Sequence, residues 1–494
     1  VIVNSTEVKK VVIAGGGTAG WMAAAALSKV LGRRLDIYLV ESDEIGTVGV
    51  GEATIPTLHF YNQLLGLDEK EFLQATQGTF KLGIQFENWL DVDKHYLHAF
   101  GNTGKDFWAA GFHNFWLKGA DVGVNHGFGD YCLERRAAEA GKFAHLPKNG
   151  LKYAYHLDAT AYGQLLRKYS ETAGVKRIEG KISSVNTSPD TGFIEALVME
   201  SGQLVSGDLF VDCTGFRGLL IEQTLHSGYE DWSHWLPCDR AMPVQTMSSG
   251  PPDPYTRAIA HSAGWRWRIP LQHRVGNGLV YCSRYMSDDE ARSLILDSID
   301  GEPITEPRVI RFQTGRRLKQ WNKNCIAVGL SSGFMEPLES TSIHLIQQSV
   351  LRLIKMFPNH GIKQVDVDEF NRQTHASFED VRDFIVLHYK ATEREDTPFW
   401  RHCSSMEVPE SLARRLALFE ETGRLFLADN ELFTDSWLQV MIGQGILPQA
   451  YHAVVDTMDE TELKSFLSKI KSSIDKTVEQ MPTHADYLEK FCGV

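Results

Sequence analysis

The chain has 494 residues, of which 43% are hydrophobic and 23% charged, and this composition excludes a disordered, fibrous or disulfide-stapled protein. A formal net charge of −13 without basic blocks argues against a nucleic-acid partner. Seven dispersed cysteines predict reduced thiols in a cytoplasmic protein and no metal site, and neither a membrane span nor a secretory signal is expected.

A nucleotide-binding motif is predicted at the start of the chain. A β-branched strand at residues 10–14 leads into Gly15-Gly16-Gly17-Thr18-Ala19-Gly20, a helix follows from Trp21, and a second strand ends on Glu41. These features in this order form the dinucleotide-binding fingerprint. The fingerprint lets cofactor phosphates approach the backbone at a helix N-terminus and offers a carboxylate to ribose hydroxyls. The predicted cofactor contacts in this segment are Gly15, Gly17, Thr18, Ala19, Gly20 and Glu41.

The fingerprint alone leaves three alternatives open, namely FAD, NAD, or a glycine-rich turn that binds nothing. The chain has no second GxGxxG segment. If the cofactor is a flavin, we therefore expect its reduction to occur on another protein or without a dedicated nicotinamide domain.

Strands and helices are predicted to alternate along the rest of the chain until a helical end. A glycine-rich loop at 46–56 is placed to wrap the cofactor, and Asp158 is predicted to cap a helix. Strands are predicted at 177–182, 194–199, 208–211, within 255–285, and at 324–330, where the last leads to a helix containing Ile343. From about residue 366 onward the pattern is mainly helical. This alternation predicts an α/β protein with a Rossmann-like sheet in one continuous body.

Three further segments carry reactive or recognition side chains, each with an ordinary structural alternative. Lys81 lies in the mainly apolar, alternating segment 80–89, where an inward-facing lysine at a strand edge competes with a surface lysine. Trp265 and Trp267 share one face of a strand and form either an aromatic wall or core filler. Residues 339–342 are predicted at a helix N-terminus, where they either hold an anion or cap the helix.

Together these motifs resemble those of a known enzyme family. The segments GGGTAGW, GVGEATIP, FKLGIQFENW, WRWRIP and FMEPLESTS occur in the order found in flavin-dependent halogenases of the tryptophan halogenase family. The resemblance extends to at least residue 360, and WxWxIP separates this family from flavin monooxygenases. It implies a FAD-binding fold of the flavin monooxygenase type over residues 1–360, with residues 361–494 as a helical region that covers the substrate site. It also implies reduced FAD, O2 and bromide or chloride as reactants, and a separate NAD(P)H-dependent flavin reductase as partner.

The resemblance implies roles for individual residues. Lys81 matches the lysine that hydrogen-bonds hypohalous acid or becomes a haloamine, and Glu339 matches the glutamate that accepts the ring proton or orients the electrophile. Thr341 and Ser342 match the halide-binding pair. The remaining implied contacts are Glu52, Ala53, Leu330 and Ile343 for the flavin, Ile182 for adenine, and His98 and Phe100 for an indole ring that they sandwich. His98 considered alone would be a loop histidine.

Two positions depart from the family pattern. Ser342 stands where the family usually has glycine, so its side chain is expected to reshape the anion pocket and to affect the choice between bromide and chloride. Near Trp437 the family carries a tyrosine pair that helps bind the backbone of free tryptophan, and Trp437-Leu438 offers no phenol. We therefore predict that Trp437 contacts an indole-like aromatic that lacks the zwitterion.

Two other functions compete with halogenation at this point. A flavin monooxygenase would give hydroxylated product and would not need Lys81, and a non-catalytic FAD-binding protein would need neither Lys81 nor Glu339. The regiochemistry, a carrier-tethered substrate and a homodimer are left open.

Overall fold

A computed structural model describes residues 7–46, 51–107, 109–147, 150–427 and 431–493. Its strands in chain order are β1 (Lys10–Ala14), β2 (Asp36–Glu41), β3 (Gly51–Ala53), β4 (Thr79–Lys81), β5 (Gly83–Glu87), β6 (His95–Ala99), β7 (Ala154–Asp158), β8 (Lys176–Glu179), β9 (Ile182–Thr187), β10 (Ile194–Met199), β11 (Leu204–Ser206), β12 (Leu209–Asp212), β13 (Tyr229–Asp231), β14 (Arg240–Met247), β15 (Thr256–His261), β16 (Gly264–Pro270), β17 (Arg274–Tyr281), β18 (Ile310–Arg311), β19 (Gly315–Arg317), β20 (Trp321–Asn322), β21 (Cys325–Ala327) and β22 (Gly333–Phe334).

The α-helices of the described residues are α1 (Thr18–Leu31), α2 (Thr57–Leu65), α3 (Glu69–Thr76), α4 (Phe112–Asp121), α5 (Leu133–Glu139), α6 (Ala159–Thr172), α7 (Asp288–Ser298), α8 (Ser342–Lys355), α9 (Gln364–Lys390), α10 (Pro398–Ser405), α11 (Glu410–Thr422), α12 (Ser436–Gly443), α13 (Glu460–Gln480) and α14 (His484–Cys492). None of these helices combines the length and apolarity needed to cross a membrane.

The described residues form two compact units, each assembled from three stretches of chain. Unit 1 comprises the described residues up to 78 together with 157–234 and 311–379. Unit 2 comprises the described residues of 79–156, those of 235–310 and those from 380 onward. The described residues beyond 361 form the helices α9–α14, as expected. The boundary at residue 360 and the covering role of the helical region stay predictions.

The main sheet of unit 1 has the strand order β20-β21-β12-β1-β2-β8. β1 lies inside the sheet and pairs in parallel with both β2 and β12, so that Ile13 opposes Leu39 on one side and Val211 on the other. Residues 11–14 are all buried. Because a parallel strand that is covered on both faces must be apolar throughout, this burial explains the uninterrupted apolar run. Helix α1 packs against α6 and α8 beside this sheet. Asp158 caps α6 by accepting from the N–H groups of Thr160 (2.9 Å) and Ala161 (3.0 Å), as predicted.

Two predicted strands of unit 1 have different bounds. The strand expected at 177–182 is divided by Gly180, whose φ of +140° is a conformation that favours glycine. β8 before it joins the parallel sheet, whereas β9 after it pairs antiparallel with β10. The strand expected at 324–330 ends at Ala327 because a short turn over Gly329–Ser331 follows.

The main sheet of unit 2 contains the strand order β14-β17-β16-β15-β5-β6. Its pairs are antiparallel except for β15 with β5. The WRWRIP segment is β16, and Trp265 and Trp267 lie on one face with ring centroids 6.2 Å apart, as the alternation predicts. Both rings are buried. The α/β fold class, with a Rossmann-like sheet, an added sheet and a helical C-terminal part, is confirmed.

Candidate active site

The glycine-rich turn of unit 1 has the shape that a pyrophosphate requires. Gly15 has a φ of +107°, and a Cβ atom there would lie 2.3 Å from the carbonyl oxygen of Cys213. A Cβ atom on Gly20 would lie 1.9 Å from the Gly15 carbonyl oxygen, so α1 and β1 approach closely only without that side chain. By contrast, no atom of the described chain lies within 4 Å of a Cβ built on Gly17. The backbone is therefore open where a phosphate would approach.

Three predicted cofactor segments meet at the beginning of α1. Gly17 is the N-cap of α1 and has no side chain to satisfy the first-turn N–H groups of Thr18 and its neighbours, which suits an anion. A Cβ atom on Gly329 would lie 2.8 Å from Cβ of Ala19 and 3.6 Å from Ile346 on α8. The turn that carries Leu330 therefore lies between α1 and α8, the helix that carries the buried Ile343.

Glu41 ends β2, and its carboxylate lies against the glycine-rich turn. A Cβ atom built on Gly16 would lie only 1.5 Å from Oε2 of Glu41. Its Oε1 accepts from Nε of Arg177 (2.6 Å) and from Nη1 of Arg167 (3.4 Å). The backbone carbonyl of Glu41 accepts from the N–H of Gly180 (2.8 Å), two residues before Ile182 begins β9. The sequence indicated Glu41 but not the two arginines, which lie more than 120 positions away.

The predicted cofactor loop is described only in part, because Thr47–Val50 lie outside the described residues. Glu52 and the buried Ala53 form β3, and burial raises the pKa of Glu52 to about 7. Thr57 follows this segment, and its hydroxyl lies 2.8 Å from Nδ1 of His344 on α8. The Thr57 carbonyl accepts from Nε2 of Gln347 (3.0 Å). The chain after β3 is thus attached to the first turns of α8, a contact that the sequence did not indicate.

Residues 339–342 of the FMEPLESTS segment form the predicted helix N-terminus. Pro337–Glu339 make a short turn, Ser340 adopts a left-handed conformation, and α8 begins at Ser342 with Thr341 as its N-cap. Glu339 and Thr341 are completely buried. The Thr341 hydroxyl does not cap the helix, and Oγ1 has no hydrogen-bond partner among the described residues. The alternative of an ordinary capping threonine is therefore wrong, and a buried donor is available beside a helix N-terminus.

Lys81 ends β4 in unit 2 and is completely buried, so the alternative of a surface lysine is wrong. Its Nζ lies 5.1 Å from the centroid of the Phe100 ring, within the range of a cation–π contact. Phe100 directly follows β6, the strand that contains His98. His98 is buried within that strand, so it is not a loop histidine.

An aromatic cluster of His98, Phe384, Phe433 and Trp437 forms in the same unit. The ring of Phe384 lies 5.8 Å from His98, 4.0 Å from Phe433 and 4.9 Å from Trp437, measured between centroids. The Arg415 guanidinium lies 4.1 Å from the Trp437 centroid and pairs with the buried carboxylate of Glu431 (3.0 Å). The sequence predicted Trp437 and His98 as substrate contacts and did not indicate Phe384 on α9 or Phe433 in the turn before α12.

The His98 and Phe100 rings are inclined by 74° with centroids 6.4 Å apart. An indole held face-to-face between both therefore requires one ring to turn, and the sandwich stays a prediction. Lys81 and the aromatic cluster belong to unit 2, whereas Glu339, Thr341, Ser342 and the predicted FAD contacts belong to unit 1. Within the described ranges, no three His, Cys, Asp or Glu side chains are grouped as metal ligands.

Comparisons with known proteins agree on one family. A family model described as tryptophan halogenase matches residues 10–460. The tryptophan 6-halogenase SttH of Streptomyces toxytricini is 33% identical over 522 residues, covering 98% of this chain and 98% of its own.

Two solved structures are also similar over nearly the whole chain. The flavin-dependent halogenase Xcc4156 from Xanthomonas campestris is 57% identical, covers 99% of both chains and has a TM-score of 0.97. BrvH, a flavin-dependent halogenase from Brevundimonas sp. BAL3, is 45% identical, covers 98% of this chain and 99% of its own, and has a TM-score of 0.94. These similarities favour a halogenase over the monooxygenase and non-catalytic alternatives. With its fingerprint, its WRWRIP strand and these relatives, the chain belongs to the tryptophan halogenase family of flavin-dependent enzymes.

Proposed function

We propose that this enzyme uses reduced FAD, O2 and halide to form hypohalous acid, and that Lys81 and Glu339 direct the halogen onto an electron-rich aromatic such as indole. Halogenation of tryptophan-like substrates is the activity of the family. The observation that supports the assignment of Lys81 is its complete burial beside the Phe100 ring, because lysines are almost never fully buried unless they are paired.

The residues of unit 1 fit FAD. The backbone is open at Gly17, the N-terminus of α1 lacks a side-chain cap, and Glu41 presents a carboxylate at the end of β2. We assign the flavin contacts to Glu52, Ala53, Leu330 and Ile343 and the adenine contact to Ile182. When bound, reduced FAD would supply two electrons and two protons, so that O2, halide and one further proton yield hypohalous acid and water.

The halide is assigned to Thr341 and Ser342. A fully buried hydroxyl that neither caps its helix nor bonds another described residue can donate to an anion at the positive end of α8. Ser342, the first residue of the helix, adds a second hydroxyl where the family usually has glycine. We infer that this side chain affects the choice between bromide and chloride.

Lys81 and Glu339 are assigned complementary parts of the transfer. The Lys81 ammonium donates a hydrogen bond to the oxygen of hypohalous acid, which makes the halogen more electrophilic. A carbon–halogen bond forms as the oxygen–halogen bond breaks, and the oxygen leaves as water after protonation. The Glu339 carboxylate accepts the proton that the ring carbon loses.

The aromatic cluster favours a substrate without a free amino-acid group. Phe384, Phe433 and Trp437 offer flat apolar surfaces, which suit an electron-rich ring. Arg415, the cation beside Trp437, is already engaged by Glu431. We therefore propose an indole-like substrate and a separate NAD(P)H-dependent flavin reductase as the partner that regenerates reduced FAD.

The test supplies the protein with FAD, a flavin reductase, NADH, bromide or chloride, and a set of indoles, and detects products by mass spectrometry. The informative variant is Lys81→Met, which removes the buried charge and keeps the length of the side chain. Lys94→Ala, an exposed lysine of the same unit, is the matched control. Halogenated product should disappear in Lys81→Met and persist in Lys94→Ala. Turnover that survives in Lys81→Met, or product that forms without halide, would overturn the proposal.

A further inference from the structure

The two residues before Lys81 are each held by a buried histidine. We propose that His156 and His484, both uncharged, are positioning residues that fix Lys81 for halogen transfer. The inference rests on the proposed role of Lys81, and all of its contacts lie within unit 2.

His156 on β7 fixes the side chain of Thr79. Nδ1 of His156 lies 2.8 Å from Oγ1 of Thr79, and that hydroxyl donates its proton to the carbonyl oxygen of Pro270 (2.8 Å). Because the hydroxyl has a single proton, it must accept from Nδ1–H of the imidazole. Nε2 of the neutral ring then accepts from the hydroxyl of Thr256 (3.0 Å). The hydrogen bonds run in one direction, from Thr256 through His156 and Thr79 to Pro270.

This chain of hydrogen bonds connects Thr79, on the strand that carries Lys81, to the WRWRIP segment. Pro270 is the last residue of β16, and Thr256 is the first residue of β15. In the antiparallel pair of β4 with β7, Thr79 opposes His156 and Lys81 opposes Ala154. Thr79 and Lys81 are two positions apart and therefore project from the same face of β4. The side chain that His156 holds is thus the neighbour of Lys81 on that face.

His484 fixes the backbone of the intervening residue. It begins α14, and its Nδ1 donates to the carbonyl oxygen of Pro252 (2.8 Å) while its Nε2 accepts from the N–H of Phe80 (3.2 Å). The His484 N–H donates to the carbonyl oxygen of Gly141 (2.8 Å), which fixes the beginning of the helix. A helix that follows Lys81 by about four hundred residues therefore holds the strand on which Lys81 lies.

Both imidazoles must stay neutral for this arrangement. A protonated His484 would point an N–H group at the Phe80 N–H, where an acceptor is required, and a protonated His156 would force the Thr256 hydroxyl to turn and accept instead of donating. Burial, then the positive charges of Lys81 and Arg268, lowers the pKa of His156 well below its usual value, and a proton on His484 would lower it further. Burial lowers the pKa of His484 to about 4. The histidines therefore act as fixed hydrogen-bond partners at neutral pH.

The role predicts a specific defect. β4 has three residues, so loss of either anchor lets Lys81 shift although the sheet still forms. A displacement of about 1 Å in a reacting group can cost about a hundredfold in rate. Formation of hypohalous acid, which we assign to residues of unit 1, should continue.

The experiment measures two products in parallel reactions. One is the hypohalous acid that monochlorodimedone captures when indole is absent, and the other is the haloindole that forms when indole is present. His484→Leu removes both hydrogen bonds, whereas His484→Gln places an amide oxygen where Nε2 accepts from Phe80. His156→Leu and His156→Asn form the corresponding pair, since the Asn amide can donate in place of Nδ1–H. We expect the ratio of haloindole to captured hypohalous acid to fall at least about tenfold in the two Leu variants. The ratio should recover in part in His484→Gln and His156→Asn.

Thr256→Val and Thr256→Ser provide a smaller perturbation if a Leu variant does not fold, and Val should lower the ratio while Ser preserves it. Equal losses of both products in all variants, or an unchanged ratio, would overturn the inference and leave only a structural role. If Lys81→Met itself still transfers halogen, the proposed function of Lys81 fails instead, because the histidines then hold a residue that the reaction does not need.

Discussion

The Thr341 hydroxyl is predicted to bind halide, so its removal should weaken halide binding without weakening the fold. In Thr341→Val the side chain keeps its branched shape and loses only Oγ1. That atom makes no cap bond and no hydrogen bond to any described residue, so the substitution removes no bond within the described part of the chain.

The two effects have opposite signs. A hydrogen bond to a charged partner contributes about 1.5–3 kcal/mol, and each 1.4 kcal/mol is about tenfold in affinity, so the halide KM should rise by about one to two orders of magnitude. A buried hydroxyl without a partner costs about 1–3 kcal/mol, part of which water can offset in the halide-free protein. We therefore expect the free energy of unfolding of Thr341→Val to be unchanged or about 1 kcal/mol higher.

The assay combines the halide dependence of haloindole formation with thermal unfolding in halide-free buffer. Thr341→Ser keeps the hydroxyl and is the control that should retain the wild-type halide KM. An unchanged halide KM in Thr341→Val would show that Oγ1 does not bind halide. A marked loss of stability would show that the hydroxyl has a structural partner and would refute the reasoning.

Three further predictions concern neighbouring residues. Ser342→Gly should raise the bromide-to-chloride product ratio about threefold in direct competition, because the anion pocket loses a hydroxyl and gains room; an unchanged ratio would remove this residue from halide selection. Glu339→Gln should lower haloindole formation about a hundredfold while trapped hypohalous acid persists, since only proton acceptance is lost; normal haloindole formation would contradict that role. Burial lowers the pKa of His344 to about 4 from 6.5, so the unfolded chain binds more protons between these values and stability is lost as pH falls from 6.5 toward 4. In His344→Phe the plot of unfolding free energy against pH should therefore be less steep near pH 5, by the slope that corresponds to uptake of about one proton on unfolding. An unchanged slope would show that His344 is not a buried neutral group.

The fingerprint could be predicted from sequence because its determinants are local. Gly15, Gly20 and Glu41 lie within a short βαβ segment, and the packing of each glycine is visible in the spacing of the motif. The break at Gly180 could not be predicted because the pattern of residues 177–182 gives no sign that the chain passes from one sheet into another.

The candidate site was predictable only where a motif exists. The pattern around Lys81 left an inward-facing and a surface lysine open, because its burial depends on β7 and β6, which lie outside that segment. The contacts of His156 and His484 join residues on separate strands and helices, and such hydrogen bonds leave no periodicity in the sequence. Resemblance indicated which residues matter, whereas the partners that hold them required the structure.

The strand order of unit 1 constrains how the protein can be synthesised. β2 follows β1 directly and can cover one of its edges at once, but the other edge waits for β12. β12 leaves the ribosome roughly 170 residues after β2, which at about 5–20 residues per second takes about 10–30 s. During that time an apolar strand exposes unpaired N–H and C=O groups, a template for association with other nascent chains. Soluble yield should therefore respond to translation speed and to chaperones that shield β1, before any cofactor has been bound.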